Sequence, residues 1–131
     1  MAYLIDTNVA IHLRDGDADI ANKILALDDA IFLSVVSRVE LEGGVHRDAH
    51  DAAVRRARLD VLLAAIPTLA FDDEAADAYA AIVAHAGYSR RKLPDRMIAA
   101  QALVHRATLV TMNPGDFADI PALDVRTWGA A

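Results

Sequence analysis

Tyr3-Leu4-Ile5 is apolar or aromatic at every position, stops at Asp6, and is followed almost at once by a helical stretch, Val9 to Leu13. A run this short and unbroken reads as a strand buried on both faces, the situation of a central strand in a parallel sheet. That requirement points the chain toward folds in which helices cover both faces of a sheet. It also puts Asp6 at the C-terminal end of a central strand, at the mouth of the sheet, where α/β proteins place ligands. A structural reading competes: Asp, Thr and Asn all favour helix starts, so Asp6 or Thr7 would then only cap the following helix.

The rest of the chain repeats the alternation. Arg14-Asp15-Gly16-Asp17 is a turn, and a helix is expected from about Ala18 to Leu27, with Ala21, Ile24, Leu25 and Leu27 on one side. Ile31-Phe32-Leu33-Ser34 is a second strand, after which Ser37-x-x-Glu40 has the form of a capping box opening a helix that runs to Gly43-Gly44. Residues 48 to 66 carry Val54, Leu59, Leu62, Leu63 and Ile66 at helical spacing and are stopped by Pro67. Thr68 to Phe71 is a third strand, Asp72 caps a helix through about Ala86, and Pro94 opens another through about His105. Leu109-Val110-Thr111 is a fourth strand, and Leu123 to Arg126 a short last one before a ragged end. The expectation is an α/β fold with a mostly parallel sheet of four to five strands between two helical layers. At 131 residues the chain is read as one domain, 1–131, large enough for its own core.

Composition removes several kinds of chemistry. Without cysteine there is no disulfide, thiolate metal site or cysteine nucleophile, and a reducing cytoplasm suits the chain. No signal-peptide pattern opens it, and its longest apolar run, Val61 to Pro67, is too short to cross a bilayer, so a cytoplasmic location away from membranes is expected. A net charge of −6 argues against coating nucleic acid but leaves room for a locally basic groove.

Further acids fall at strand ends or helix starts. Glu40 belongs either to the capping box or to a site, and Gly43-Gly44, one turn on, suggests another segment approaching that helix closely. Asp95 lies in a first helical turn, where it complements the dipole, yet its face continues through apolar Ile98, Ala99 and Ala102. Asp116 alone would be a turn residue. Gathered at one sheet edge, Asp6, Glu40, Asp95 and Asp116 would require a hard cation, and oxygen-only ligands suit Mg²⁺ or Mn²⁺. Without metal, such a cluster is expected to keep a proton near neutral pH. His12, His46, His50, His85 and His105 are scattered outside these motifs, so no general base stands out. Arg90-Arg91-Lys92, just before Asp95, is read as a phosphate contact, and Arg55, Arg56 and Arg58 as a solvated helix face.

Four blocks in order carry a family resemblance: Leu4-Ile5-Asp6-Thr7-Asn8; Ser34-x-x-Ser37-x-x-Glu40-Leu41-x-x-Gly44; Asp95-x-x-Ile98-Ala99-Ala100-x-Ala102; and Leu109-Val110-Thr111-x-Asn113-x-x-Asp116-Phe117. Over nearly its whole length the chain resembles PIN-domain ribonucleases of the VapC type, the toxin half of bacterial toxin–antitoxin pairs. The resemblance implies a metal-dependent endoribonuclease in which Asp6, Glu40, Asp95 and Asp116 gather around one or two divalent ions. It places Thr7, Asn8, Thr111 and Asn113 in support, and implies RNA as substrate, a cognate antitoxin and a homodimer. Two departures stand out: Asn113, where many relatives have aspartate, and Arg96, where relatives often have an apolar residue. Two alternatives stay open, a catalytically silent PIN-like module that acts by binding an antitoxin, and a haloacid-dehalogenase-like phosphatase, against which Asn8 replaces the second acid. A receiver-like domain is disfavoured, because it needs an adjacent acidic pair after the first strand.

Overall fold

Strand β1, Tyr3–Ile5, is buried throughout, as its composition requires, and every later strand is laid down parallel to it or to its neighbours. The structure, a computed structural model, describes residues 2–129. After β1 come α1 (Thr7–Arg14), α2 (Ala18–Leu25), β2 (Ile31–Ser34), α3 (Val35–Val45), α4 (Ala52–Ala65) and β3 (Thr68–Leu69). Then follow α5 (Asp73–Ala86), α6 (Leu93–Val104), β4 (Thr108–Thr111), a 3-10 turn (Pro114–Phe117) and β5 (Val125–Thr127). The sheet has five strands in the order β3-β2-β1-β4-β5. Ile5 pairs with Leu33 on one side and Val110 on the other.

Alternation along β1 divides the core between two layers. Tyr3 and Ile5 pack with Val9, Leu41, Leu59 and Leu62 from α1, α3 and α4, whereas Leu4 packs with Ile82, Ile98 and Ala99 from α5 and α6. Leu4 and Ile5 are fully buried, and burial of such a side chain is worth roughly 1.5–3 kcal/mol. The strand order matters more for function. The chain moves outward from β1 to β2 and β3, then crosses back through α5 and α6 to β4 on the far side of β1. The order reverses between β1 and β4, and in open α/β sheets that point opens a crevice at the C-terminal strand ends.

Local details depart from expectation. Ser34, not Ser37, caps α3: β2 runs directly into the helix and Ser34 Oγ accepts from the Val36 N–H at 3.0 Å. No capping box forms at Ser37-x-x-Glu40, because Ser37 is already inside the helix with its buried hydroxyl 2.7 Å from Thr7 Oγ1. Among the described residues no backbone closely approaches Gly43 or Gly44; a Cβ at Gly43 would meet none of them within 4 Å, and one at Gly44 would make only an ordinary contact, 3.5 Å from Arg14 Nη1. Helix α4 begins at Ala52 and not 48, and Val54 is 52% exposed, so the buried stripe is Leu59, Leu62 and Ile66. Pro94 is the second residue of α6, after Leu93. No helix among the described residues is long and apolar enough to cross a membrane.

Candidate active site

Asp6 ends β1 and caps α1, so its two readings coincide in one side chain. It is 4% exposed, and both carboxylate oxygens are engaged: Oδ1 accepts from the Thr7 N–H at 2.7 Å and Oδ2 from the Thr111 hydroxyl at 2.8 Å. Thr111 ends β4, the strand across the reversal point, and its Oγ1 in turn accepts from the Asn113 N–H at 3.0 Å. Thr7 also reaches Ser37 on α3. The crevice between β1 and β4 is thus built around a fixed carboxylate.

The other three acids reach the same place from separate elements. A cavity of about 260 Å³ is lined by Asp6, Thr7, Asn8, Ile11, Glu40, Arg91, Pro94, Asp95 and Asp116. Glu40 comes from the middle of α3, Asp95 from the first turn of α6, and Asp116 from the 3-10 turn. Glu40 is exposed as a residue yet belongs to the lining, and its carboxyl responds accordingly.

Burial and charge crowding show in the titration of Asp95, Asp6 and Glu40. The Asp95 carboxyl is pushed up to about 6, first by burial and then by the negative charges of Asp6, Asp116 and Glu40, with Arg91 pulling the other way. Asp6 is raised by burial against the hydrogen bonds from Thr111 and Thr7. Glu40 is raised by burial and by Asp6, against a hydrogen bond from Thr7. Each group therefore favours its neutral form more than an isolated carboxyl does, which is the condition a divalent cation relieves.

The donor set fits a hard cation: the lining offers four carboxylates and no histidine or cysteine. Among the described residues, no three His, Cys, Asp or Glu side chains can grip one ion jointly as they stand. The acids ring the cavity without converging on a point. Glu40 and Asp116 are exposed, and an exposed carboxylate turns among staggered rotamers at little cost, while Asp6 stays fixed.

The remaining expected residues divide. Thr7 and Asn8 line the cavity, Thr111 supports Asp6 from beneath, and Asn113 contributes its backbone N–H. Arg91 lines the cavity, whereas Lys92 Nζ is tied to Asp119 Oδ2 at 3.3 Å, because Asp119 stands beside the start of α6. Arg90 is exposed and outside the lining. Arg96 neither rests on the acid cluster nor points to solvent; it is 2% exposed and turns to Gly87 and Asp119. Arg56 pairs with Glu42 and Asp60, as a solvated helix face allows. Sequence reasoning missed Gln101, which is fully buried, joins Ser34 Oγ, and donates to the Leu69 and Ala70 carbonyls at 3.1 and 3.0 Å. Its one signal was an amide within the apolar stretch of α6.

Known proteins share this architecture. A family model described as PIN domain matches residues 3–123. The chain is similar to Ribonuclease VapC2 of Rickettsia felis, 27% identical over 140 residues that cover 98% of each protein. It is similar also to a chain in the crystal structure of VapBC2 from Rickettsia felis bound to a DNA fragment from their promoter, with a TM-score of 0.84, 25% identity, and 98% of this chain and 99% of that one covered. A third likeness is to VapBC-5 from Mycobacterium tuberculosis, a member of the VapBC family of toxin-antitoxin systems, with a TM-score of 0.71, 29% identity and 98% of both chains covered.

Proposed function

This chain belongs to the PIN domain family, and on that premise we propose that it is a ribonuclease of the VapC type, the toxin of a toxin–antitoxin pair, using Mg²⁺ or Mn²⁺ held by Asp6, Glu40, Asp95 and Asp116. The observation that carries the reading is a cavity at the reversal point of the sheet ringed by those acids. A divalent ion bound there supplies a water of lowered pKa and offsets charge on the phosphate and leaving oxygen. The chain's own residues hold and orient. Thr7 and Thr111 fix the Asp6 carboxylate, and Arg91 at the cavity wall meets a backbone phosphate without reading sequence. Asn113 donates its backbone N–H to Thr111 Oγ1 and is not among the residues that line the cavity, which leaves Asp116 as the acid of that segment. A phosphatase with Asp6 as nucleophile is disfavoured, since Asn8 stands where that chemistry needs a second acid.

The purified protein is expected to cleave single-stranded RNA in Mg²⁺ or Mn²⁺ and to stop in EDTA. Cleavage at an unchanged rate in chelator would overturn the metal site.

The partners we propose are RNA, a cognate antitoxin and a second copy of the chain. The antitoxin reading is supported by the likeness to chains of VapBC systems. Away from the acids, a groove of about 690 Å³ between α2 and α4 is lined by Ala21, Ile24, Leu25, Val61 and Leu62 among others, and leaves Leu25 81% and Val61 71% exposed. A partner's amphipathic segment is the fitting cover for such a surface. Leu25→Asp is therefore expected to abolish co-purification with the protein encoded beside this chain, while RNA cleavage and sedimentation as a dimer are retained. A variant that keeps its partner and becomes a monomer would reassign the groove to the dimer contact.

A further inference from the structure

Arg96 is the buried charge that the acid cavity does not use. At 2% exposure its guanidinium has to be paired, and the partners it has come from two other segments. One η-nitrogen donates to the Gly87 carbonyl, at the residue that caps α5 with a φ of +87°. The other donates to Asp119 Oδ2 at 3.0 Å, an oxygen that also accepts from Lys92 Nζ at 3.3 Å. Arg96 Nε and Asp119 Oδ1 are buried without a hydrogen-bond partner among the described residues.

These contacts bear on the cavity through sequence neighbours. Gly87 is where the loop that carries Arg91 begins, Asp95 adjoins Arg96 in the first turn of α6, and Asp119 follows Asp116 by three residues. The three segments bring in half of the acids and the one arginine of the lining. The planar fork of arginine serves two acceptors on different segments at once, which a lysine ammonium on a flexible stem does not reproduce.

We propose that Arg96 is a positioning residue for the acid cavity: by joining the Gly87 carbonyl to the Asp119 carboxylate, it fixes the segments that deliver Arg91, Asp95 and Asp116. The role deepens the nuclease reading and rests on it only for its purpose. A purely stabilising ion pair would leave the cavity unchanged in any variant that folds.

The test compares wild type with Arg96→Lys, Asp119→Asn and the double variant Arg96→Met/Asp119→Leu, with Arg56→Met as a control ion pair outside the cavity. The double variant removes both charges, so no unpaired ion is left buried if the single variants fold poorly. In metal-free protein, amide NMR signals and hydrogen exchange at Arg91, Asp95 and Asp116 are expected to change together, while those of Asp6 and Glu40 hold. Mn²⁺ binding, read by loss of the free-ion EPR signal, is expected to weaken by roughly ten- to hundredfold, the scale seen when groups behind metal ligands are lost. The Arg56→Met control is expected to match wild type in both. A folded double variant with wild-type amide signals at Arg91, Asp95 and Asp116 would overturn the positioning role. Failure of wild type to bind Mn²⁺ would overturn the metal reading instead, since the amide signals decide the positioning role without metal.

Discussion

Expression of the wild-type chain is expected to slow the growth of a bacterial host, and alanine at Asp6 or at Asp95 is expected to abolish RNA cleavage and to relieve that slowing. A bound ion contributes several kcal/mol of charge stabilisation in phosphoryl chemistry. Losing roughly 4 kcal/mol of it with one ligand corresponds to a fall on the order of a thousandfold in rate. The two variants part company in stability. Asp6→Ala leaves the fully buried Thr111 hydroxyl and the Thr7 N–H without their acceptor, and each buried group stranded in this way costs roughly 1–3 kcal/mol. Asp95→Ala strands nothing, because burial and charge are the forces on its carboxyl and no hydrogen bond is among them. Thermal melts in EDTA should place Asp6→Ala several degrees below wild type and Asp95→Ala level with it or above. Cleavage assays on the folded Asp95→Ala variant then report ligand loss free of unfolding. Wild-type rates in both variants would remove both residues from the site.

What the sequence disclosed follows from how locally each feature is determined. The unbroken apolar run before Asp6 and the alternation of short strands with helices are local, and they lead to a parallel sheet with Asp6 at its mouth. Asp95 and Asp116 reach the cavity from a helix start and from the turn after a strand, as read from the sequence, whereas Glu40 reaches it from the middle of α3. Glu40 lines the cavity although neither the capping box nor the close approach at Gly43-Gly44 read from the sequence is present among the described residues. Ser34 and Ser37 both have a residue type that caps helices, and the pattern Ser37-x-x-Glu40 matches a capping box, but where the strand ends decides which serine caps. That depends on the pairing of β2 with β1 and β3, which a short window does not contain. The Thr7 to Ser37 contact spans 30 residues of sequence, Arg96 to Asp119 spans 23 and Gln101 to Ser34 spans 67. Such pairs are set by the packing of elements, so Lys92 looked like an RNA contact and Arg96 had no role until Asp119 was seen beside them.

On the proposed metal site, Asp95 is the position at which ion binding and folding would oppose each other most clearly. Its folded pKa of about 6 lies above the ordinary value of 3.8, so the folded chain holds the proton more tightly than the unfolded chain does. Protonation therefore favours folding fully below about pH 4, and that advantage is lost as pH rises through about 6. A difference of about two units corresponds to roughly 3 kcal/mol, which partial exposure reduces to something on the order of 1 kcal/mol. Asp95→Asn keeps the shape and has no charge to strain. In EDTA at pH 7.5 it is expected to melt a few degrees above wild type, and at pH 4 the two should converge. Millimolar Mg²⁺ should reverse the order at pH 7.5, since an ion at a hundred times its Kd adds about 2.7 kcal/mol to the chain that binds it and little to the variant. A helix-dipole role for Asp95 makes the opposite forecast, a loss of roughly 0.3–1 kcal/mol in the variant above pH 4, with or without metal. Asp6→Asn is a weaker instrument, because an amide has one acceptor oxygen for the two hydrogen bonds that Asp6 now accepts. Melts of wild type and Asp95→Asn at both pH values, with chelator and with Mg²⁺, separate the two accounts, and a difference indifferent to Mg²⁺ would take Asp95 out of the metal site.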